Sequence, residues 1–333
     1  MLPAMEPLPV AALPPCGAAP YAQELAIPSN REMSYRNTAA LSLLIWLLAP
    51  TAVLSATQRA VVISDQRLYR EARLDSKTVG RVMAGEEATV TGRQGALLEV
   101  SLPGNRAGWT LANGVVVLDD NPRAAALLFE AADTLAQQDS VQAWGCAARL
   151  FRKAASLVPG GPYAPEALSR AAELAWRMEI RTSGAVHEAG AVKELEAVVR
   201  AHPKTAAAAR AAYFLLKSNL CEFWEGTPGC PEAESSLISR YLQEYPHSPQ
   251  DAELRYALAY RHSALVEIYL DKEKTHFSPE KAVEQKAKAR EVVGALHREH
   301  PGSIWAARGE RLLWSLDNNI GVYSGIELAL RRF

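Results

Sequence analysis

Between residues 147 and 315 one phrase is written four times: an apolar-patterned helix, a single proline, a short polar step, and a second helix rich in alanine. The prolines are Pro159, Pro203, Pro246 and Pro301. Proline lacks a backbone N–H and clashes with the preceding turn, so it ends a helix at a fixed point. Five residues before it stand Ala154, Val198, Tyr241 and Leu296, and immediately before it Val158, His202, Tyr245 and His300. A spacing of four puts these on one helical face. Two residues after proline come Gly161, Thr205, Ser248 and Ser303, groups suited to capping a new helix. Five after it come Ala164, Ala208 and Ala306, with Asp251 as the exception, and twelve after it Ala171, Leu215, Leu258 and Leu313. Small residues early in the second helix allow close approach, and larger ones later fill the layer. A repeated two-helix unit buries its core by stacking on its neighbours, and such stacks present surface.

The segments "LQEYPHSPQDAELRYALAY" (242 to 260), "VRAHPKTAAAARAAYFLL" and "REHPGSIWAARGERLL" resemble the tetratricopeptide-like repeats of bacterial envelope proteins, such as outer-membrane assembly lipoproteins and the periplasmic coordinator of the Tol-Pal system. The resemblance covers roughly residues 121 to 318. The prolines are 44, 43 and 55 residues apart, longer than the tetratricopeptide period of about 34. The surplus falls in loops at 181–190 and 271–280. The resemblance implies an all-α solenoid of about four helix pairs over 121–333, with a terminal helical tail near Ile326–Phe333, that binds protein partners of the cell envelope.

Upstream, residues 58 to 118 change texture to short period-two apolar runs broken by Gly and polar turns, which predicts a small all-β barrel over 57–120. Residues 78–118 resemble a bacterial SH3-type domain through the Gly85 turn, the Val100–Leu102 strand, the Pro103–Gly104 turn and the Gly108–Trp109 pair. The chain departs from that family at Ala96 and Leu97, where an aromatic is usual, and at Leu68, Tyr69 and Arg70. Related domains bind peptidoglycan peptides. The resemblance therefore offers Tyr69 and Trp109 as an aromatic ligand face, with barrel packing as the other use of Trp109.

The first 32 residues are rich in Pro and Ala without apolar period, and read as untranslated sequence or a disordered leader. From Met33 follow Arg36, an apolar run from Ala39 to Leu54, and small residues at Ser55 and Ala56, the layout of a secretory signal peptide over 33–56. The apolar run is 16 residues long and contains Pro50, where a spanning helix needs roughly 20. Cleavage between Ala56 and Thr57 is the expectation, giving a periplasmic or secreted protein without a stable membrane span. An uncleaved inner-membrane anchor is the alternative. Removing Arg31 and Arg36 with Glu6, Glu24 and Glu32 takes the formal charge from −1 to zero, so nothing favours nucleic acid or anionic lipid. Of the four cysteines, Cys16 precedes Met33, and Cys146 reads as a small core residue. Cys221 and Cys230 flank a turn-rich loop, and in an oxidising compartment they are expected to form a disulfide; two buried thiols are the other reading.

No phosphate loop, nucleophile elbow, H-E-x-x-H or Cys–His signature occurs. His297 and His300 stand one helical turn apart, but the repeat accounts for His300 and the sequence positions no third ligand, so no metal site is expected. Trp144, Trp176, Trp224, Trp305 and Trp314 lie mostly at helical spacing and read as core. The expectation is a non-catalytic scaffold or adaptor without cofactor. The alternative is a wall-binding accessory protein whose SH3-like domain targets a partner hydrolase to peptidoglycan.

Overall fold

The computed structural model describes residues 57–183, 190–221 and 224–323. The signal-peptide segment through Ala56, Cys16, His187 and the tail at 326–333 lie outside the described residues; Thr57 is exposed just before the first strand. The layout is β then α: seven strands in one antiparallel sheet, then nine α-helices among the described residues. Two compact units divide at Lys153 and Ala154.

In the first unit the strands are β1 (Gln58–Val62), β2 (Gln66–Tyr69), β3 (Thr78–Val82), β4 (Glu87–Gln94), β5 (Leu97–Leu102), β6 (Arg106–Leu111) and β7 (Val115–Val117). Their order is β3-β2-β6-β5-β4-β1-β7. Alternation sets the buried face: Ala88 and Val90 on β4, and Leu98, Val100 and Leu102 on β5, join Val62, Leu68 and Val82 in one core. The tight turn at Gly85 needs a left-handed residue (φ +86°) and has no room for a Cβ, because Arg149 lies against it. Arg149 belongs to α2 (Val141–Leu157), which follows α1 (Ala124–Ala136). Its guanidinium donates to the Ala84 carbonyl at 2.9 Å, and Lys153 pairs with Glu87. The strands therefore share their unit with α1 and with α2 as far as Lys153.

The second unit holds α3 (Ala164–Ser183), α4 (Ala191–Ala201), α5 (Ala206–Ser218), α6 (Gly229–Glu244), α7 (Asp251–Leu270), α8 (Pro279–Glu299) and α9 (Ile304–Asp317). All four prolines end a helix in the same way. The carbonyl before the proline accepts a bond from the N–H two residues after it: Val158 from Gly161 (2.9 Å), His202 from Thr205 (3.3 Å), Tyr245 from Ser248 (3.3 Å) and His300 from Ser303 (3.0 Å). The capping residues His202, Tyr245 and His300 share nearly one conformation, with φ −132°, −125° and −135° and ψ 52°, 62° and 52°. Thr205 and Ser303 cap the next helix as expected, each hydroxyl accepting from an alanine N–H at 3.1 Å. Gly161 and Ser248 do not, because α3 and α7 begin only at Ala164 and Asp251. A second proline, Pro162 or Pro249, follows each directly, disfavours helical backbone before it and delays the helix.

Successive helices pack together, with α3 against α4 and α5, α6 against α7, and α7 against α8 and α9. Phe151, Leu195, Ile238 and Val293 are fully buried on the first helices of the four pairs. Ala164, Ala208, Asp251 and Ala306 are buried as well, the aspartate included. Among the described residues no helix is long and apolar enough to cross a membrane.

Candidate functional site

In the first unit the pairing registers place Tyr69 opposite Trp109, Trp109 opposite Glu99, and Glu99 opposite Gly92. Directly paired residues point to the same side of a sheet. The four therefore form a row across β2, β6, β5 and β4, on the face opposite the Leu68 and Val100 core. Tyr69 and Trp109 are both half-buried, so Trp109 is not one of the core residues of this sheet. Its ring covers Gly92, where an added Cβ would lie 3.7 Å from the end of the indole and 3.0 Å from the Glu99 carboxylate. A strand glycine leaves its backbone bare, and a cross-strand aromatic shields it. Thr91 donates to Glu99 at 3.1 Å. Close approach is enforced at Gly108, where a Cβ would meet the Tyr69 carbonyl oxygen at 2.6 Å and Leu68 Cγ at 2.8 Å. The result is two adjacent aromatic rings with a carboxylate beside them, a surface able to stack on a flat or apolar group and accept a bond from a polar one.

In the second unit Cys221 and Cys230 are disulfide-bonded. The loop they close is anchored on a group the sequence did not single out. Glu234 on α6 is 1% exposed and Arg261 on α7 is 3% exposed, and the two are joined at 2.7 Å. The same carboxylate accepts from the Cys221 backbone N–H at 2.7 Å and from the Trp224 indole N–H at 3.2 Å. Arg261 also donates to the Ala257 carbonyl and lies over the Trp224 ring. Tyr323 stacks parallel to Trp224 at 5.7 Å between centroids, and its hydroxyl accepts from the Gly226 N–H. Every polar atom named here faces a structural partner, which marks the cluster as a clamp on the loop. An acid in a polar helix reads as solvated, so only the fold reveals it.

His300 is drawn to Asp251, its ring Nε2 lying 2.7 Å from the carboxylate. With Glu299, these form the one group of three metal-type donors found among the described residues. Arg255 occupies the centre of their charge: it donates to Asp251 at 2.7 Å and pairs with Glu299 at 2.7 Å. Burial pushes the Asp251 carboxyl up, but the bonds from Arg255 and His300 outweigh it and hold the group below its usual range. A guanidinium already neutralises both acids, so the donor set does not suit a divalent cation. His297 instead pairs with the exposed Glu310 at 3.2 Å.

Between α5, α6 and α7 a shallow hollow with a volume of about 20 Å³, room for roughly one water molecule, is lined by Tyr213, Lys217, Leu220, Ile238, Glu253 and Arg261 among others. Tyr213 donates to Glu253 at 2.7 Å. Burial, then the Glu253 charge, keeps its phenol protonated far above the ordinary range, while burial pushes the Lys217 ammonium down. The ammonium lies over the Tyr213 and Trp176 rings. The polar groups that line the hollow are committed to one another and to the neighbouring rings.

No family model matches the chain, and no curated protein does. Among solved structures it is similar to one described as "DHF58 filament", at 21% identity over 63% of this chain and 97% of that one, with a TM-score of 0.21.

Proposed function

We propose that the protein is a non-catalytic adaptor of the cell envelope, periplasmic or secreted, whose tetratricopeptide-like helix pairs bind protein partners. The observation that carries the reading is the fourfold proline turn. One bonding pattern recurs at all four prolines, and each turn joins a helix of one pair to its mate. An array of preordered helices offers side chains at low ordering cost. The Cys221–Cys230 disulfide supports an oxidising compartment, and the disulfide loop is clamped by buried groups rather than open to substrate. The test is crosslinking of the full chain in the native envelope, read by mass spectrometry. Crosslinks from a defined envelope protein to α3, α5 or α7 support the adaptor. Turnover of an envelope substrate by the purified chain, in peptidoglycan zymography for instance, overturns it.

The Tyr69–Trp109–Glu99 row favours a second reading, in which the sheet unit, as an SH3-type domain, holds peptidoglycan peptides and brings a partner hydrolase to the wall. Both rings are partly exposed side by side, as a stacking surface requires. Retention of the full chain on purified peptidoglycan, lost in Tyr69→Ala with Trp109→Ala, would bear this out. Equal retention of wild type and double variant would refute it.

A further inference from the structure

We propose that the outer face of α9 receives an acidic amphipathic helix from a partner protein, in the place where a further helix pair would stack. This rests on the adaptor reading and names the surface and the chemistry of its partner. The positions that join one pair to the next can be read from the first three. Ten residues after each proline, Ser169 donates to the Ala207 carbonyl of α5, Tyr213 donates to Glu253 of α7, and Tyr256 packs its ring on Trp305 of α9. Each contact reaches the second helix of the following pair. Thirteen residues after each proline, Ala172, Leu216 and Ala259 are 1%, 7% and 0% exposed.

In the fourth unit those two positions are Arg311 and Trp314. Arg311 is exposed, and Trp314 is 60% exposed, against the sequence expectation that it is core. Ile304, one helix face along, is 63% exposed. The stacking face of the last described pair thus carries a bare indole and a bare isoleucine where an end-capping repeat needs a polar surface. Tryptophan and arginine are the residue types most enriched at interaction hot spots.

Charge selects the occupant. Arg308 and Arg311 border the two apolar residues, and neither forms an ion pair with a described residue; Arg308 lies over the Trp305 ring. Of the acids on the same helix, Asp317 is engaged by Lys286 and Arg290, and Glu310 lies 3.2 Å from the His297 ring, on the side of α9 that faces α8. A second copy using the same face would set these arginines against their own copies. The segment 324–333 of this chain holds one acid, Glu327, against Arg331 and Arg332, and is also a poor match. A helix with an apolar stripe flanked by carboxylates complements the face in both respects.

The experiment uses the full chain and a fluorescein-labelled helical peptide with leucine at the a and d positions of each heptad and glutamate at the flanking positions. A lysine-flanked peptide serves as its counterpart, and binding is read by anisotropy at low salt. Wild type should bind the glutamate peptide and not the lysine peptide. Trp314→Ala should weaken binding at least about tenfold, as for a central aromatic anchor. Arg308→Glu with Arg311→Glu should exchange the preference for the lysine peptide. These are surface changes, and an unaltered helical circular dichroism spectrum verifies the fold. Equal binding of both peptides, or an unchanged affinity in Trp314→Ala, overturns the proposal. So does self-association of wild type that Trp314→Ala abolishes, which would make a second copy the occupant. A large gain in affinity on truncation after Tyr323 would likewise assign the face to the chain's own end. Envelope partners crosslinked to α3, α5 or α7 but never to α9 would sink this inference and leave the adaptor reading standing.

Discussion

The carboxylate of Glu234 is the most consequential single group in the helical unit, and replacing it by glutamine measures how much. The substitution keeps the shape and one acceptor oxygen. It removes the carboxylate charge that faces Arg261, a residue 3% exposed that also donates to the Ala257 carbonyl and lies over the Trp224 ring. Breaking a buried ion pair from one side costs about 3–5 kcal/mol, because the surviving charge stays buried without compensation. The Cys221 N–H and the Trp224 indole N–H are then left to compete for a single neutral oxygen, which places the cost in the upper half of that range. For a unit of this size, about 4–5 kcal/mol corresponds to a fall in Tm of roughly 8–20 °C.

Urea and thermal unfolding followed by the helical circular dichroism signal report mainly on this unit, which holds α3 to α9, while α1 and most of α2 add a smaller share from the first unit. Glu310→Gln is the control: its pair with His297 is exposed on the glutamate side and should change stability by less than about 1 kcal/mol. In the double variant Glu234→Leu with Arg261→Met the stranded charge is gone. That variant should be more stable than Glu234→Leu alone, with a coupling energy of about 1–3 kcal/mol across the cycle. It should still fall below wild type, because the Cys221 and Trp224 N–H groups lose the carboxylate that accepts from them. Glu234→Gln unfolding within about 1 kcal/mol of wild type would refute the clamp, as that is less than a breached buried pair costs.

Replacing Cys221 and Cys230 by serine opens a ring with a sequence separation of 9; on the loop-entropy account this lowers stability by about 2–3 kcal/mol, measured by urea unfolding with and without reductant. His262 is buried, and burial, against the bond its Nδ1 donates to Gln285, holds its pKa below the usual histidine range. The unfolded chain therefore binds the proton first, so stability is full above about pH 6.5 and declines as the pH falls below it, by at most about 1.4 kcal/mol per pH unit. His262→Gln should flatten that slope between pH 7 and 5, and an unchanged slope would place the titration elsewhere. Gly108→Ala forces a Cβ against the Tyr69 carbonyl and Leu68, and should destabilise the sheet unit by about 1–3 kcal/mol, read as faster amide exchange in β2, β5 and β6 with that of α7 unchanged.

The turns are legible in the sequence because their cause is local. A proline, the residue before it and the N–H two places on decide the geometry within six residues, so Thr205 and Ser303 read as caps from residue type and position alone. Ser248 misleads for an equally local reason, the Pro249 beside it. The sheet face is half legible: Tyr69 and Trp109 can be singled out as aromatics, but that Glu99 pairs with Trp109 depends on the β5–β6 register, and that Gly92 joins it depends on a bulge in β4 that no period-two pattern reveals. Glu234, Arg261 and Tyr323 are invisible to it, since their meeting depends on bonds across 27 and 97 residues of chain. Helical spacing assigns Trp314 to the core because periodicity reports a face and not what covers it.

The one warning in the repeat itself is Asp251, an acid in a slot otherwise held by alanine. A carboxylate fully buried at that position demands partners, and it takes them from its own helix in Arg255 and from the next turn in His300. The joints between successive pairs are thus chemically unequal although the turns are alike. Ser169 meets a backbone carbonyl, Tyr213 meets a carboxylate, and Tyr256 meets an indole. A buried carboxylate ties the third and fourth pairs through His300. The joint of α3 and α5 carries charge too, from Arg210 to Glu166 and Glu173, but there every partner keeps some solvent, the arginine being 28% exposed, whereas the Asp251 carboxylate is fully buried. Since the Asp251 carboxyl is held below its usual range, its contribution is present above an unfolded value of about 4 and disappears as the pH falls through the folded one. Acid should therefore loosen the joint between α7 and the end of α8 before the joint between α3 and α5. Amide exchange resolved by helix at pH 3 would show that order, and uniform loss of protection along the unit would contradict it.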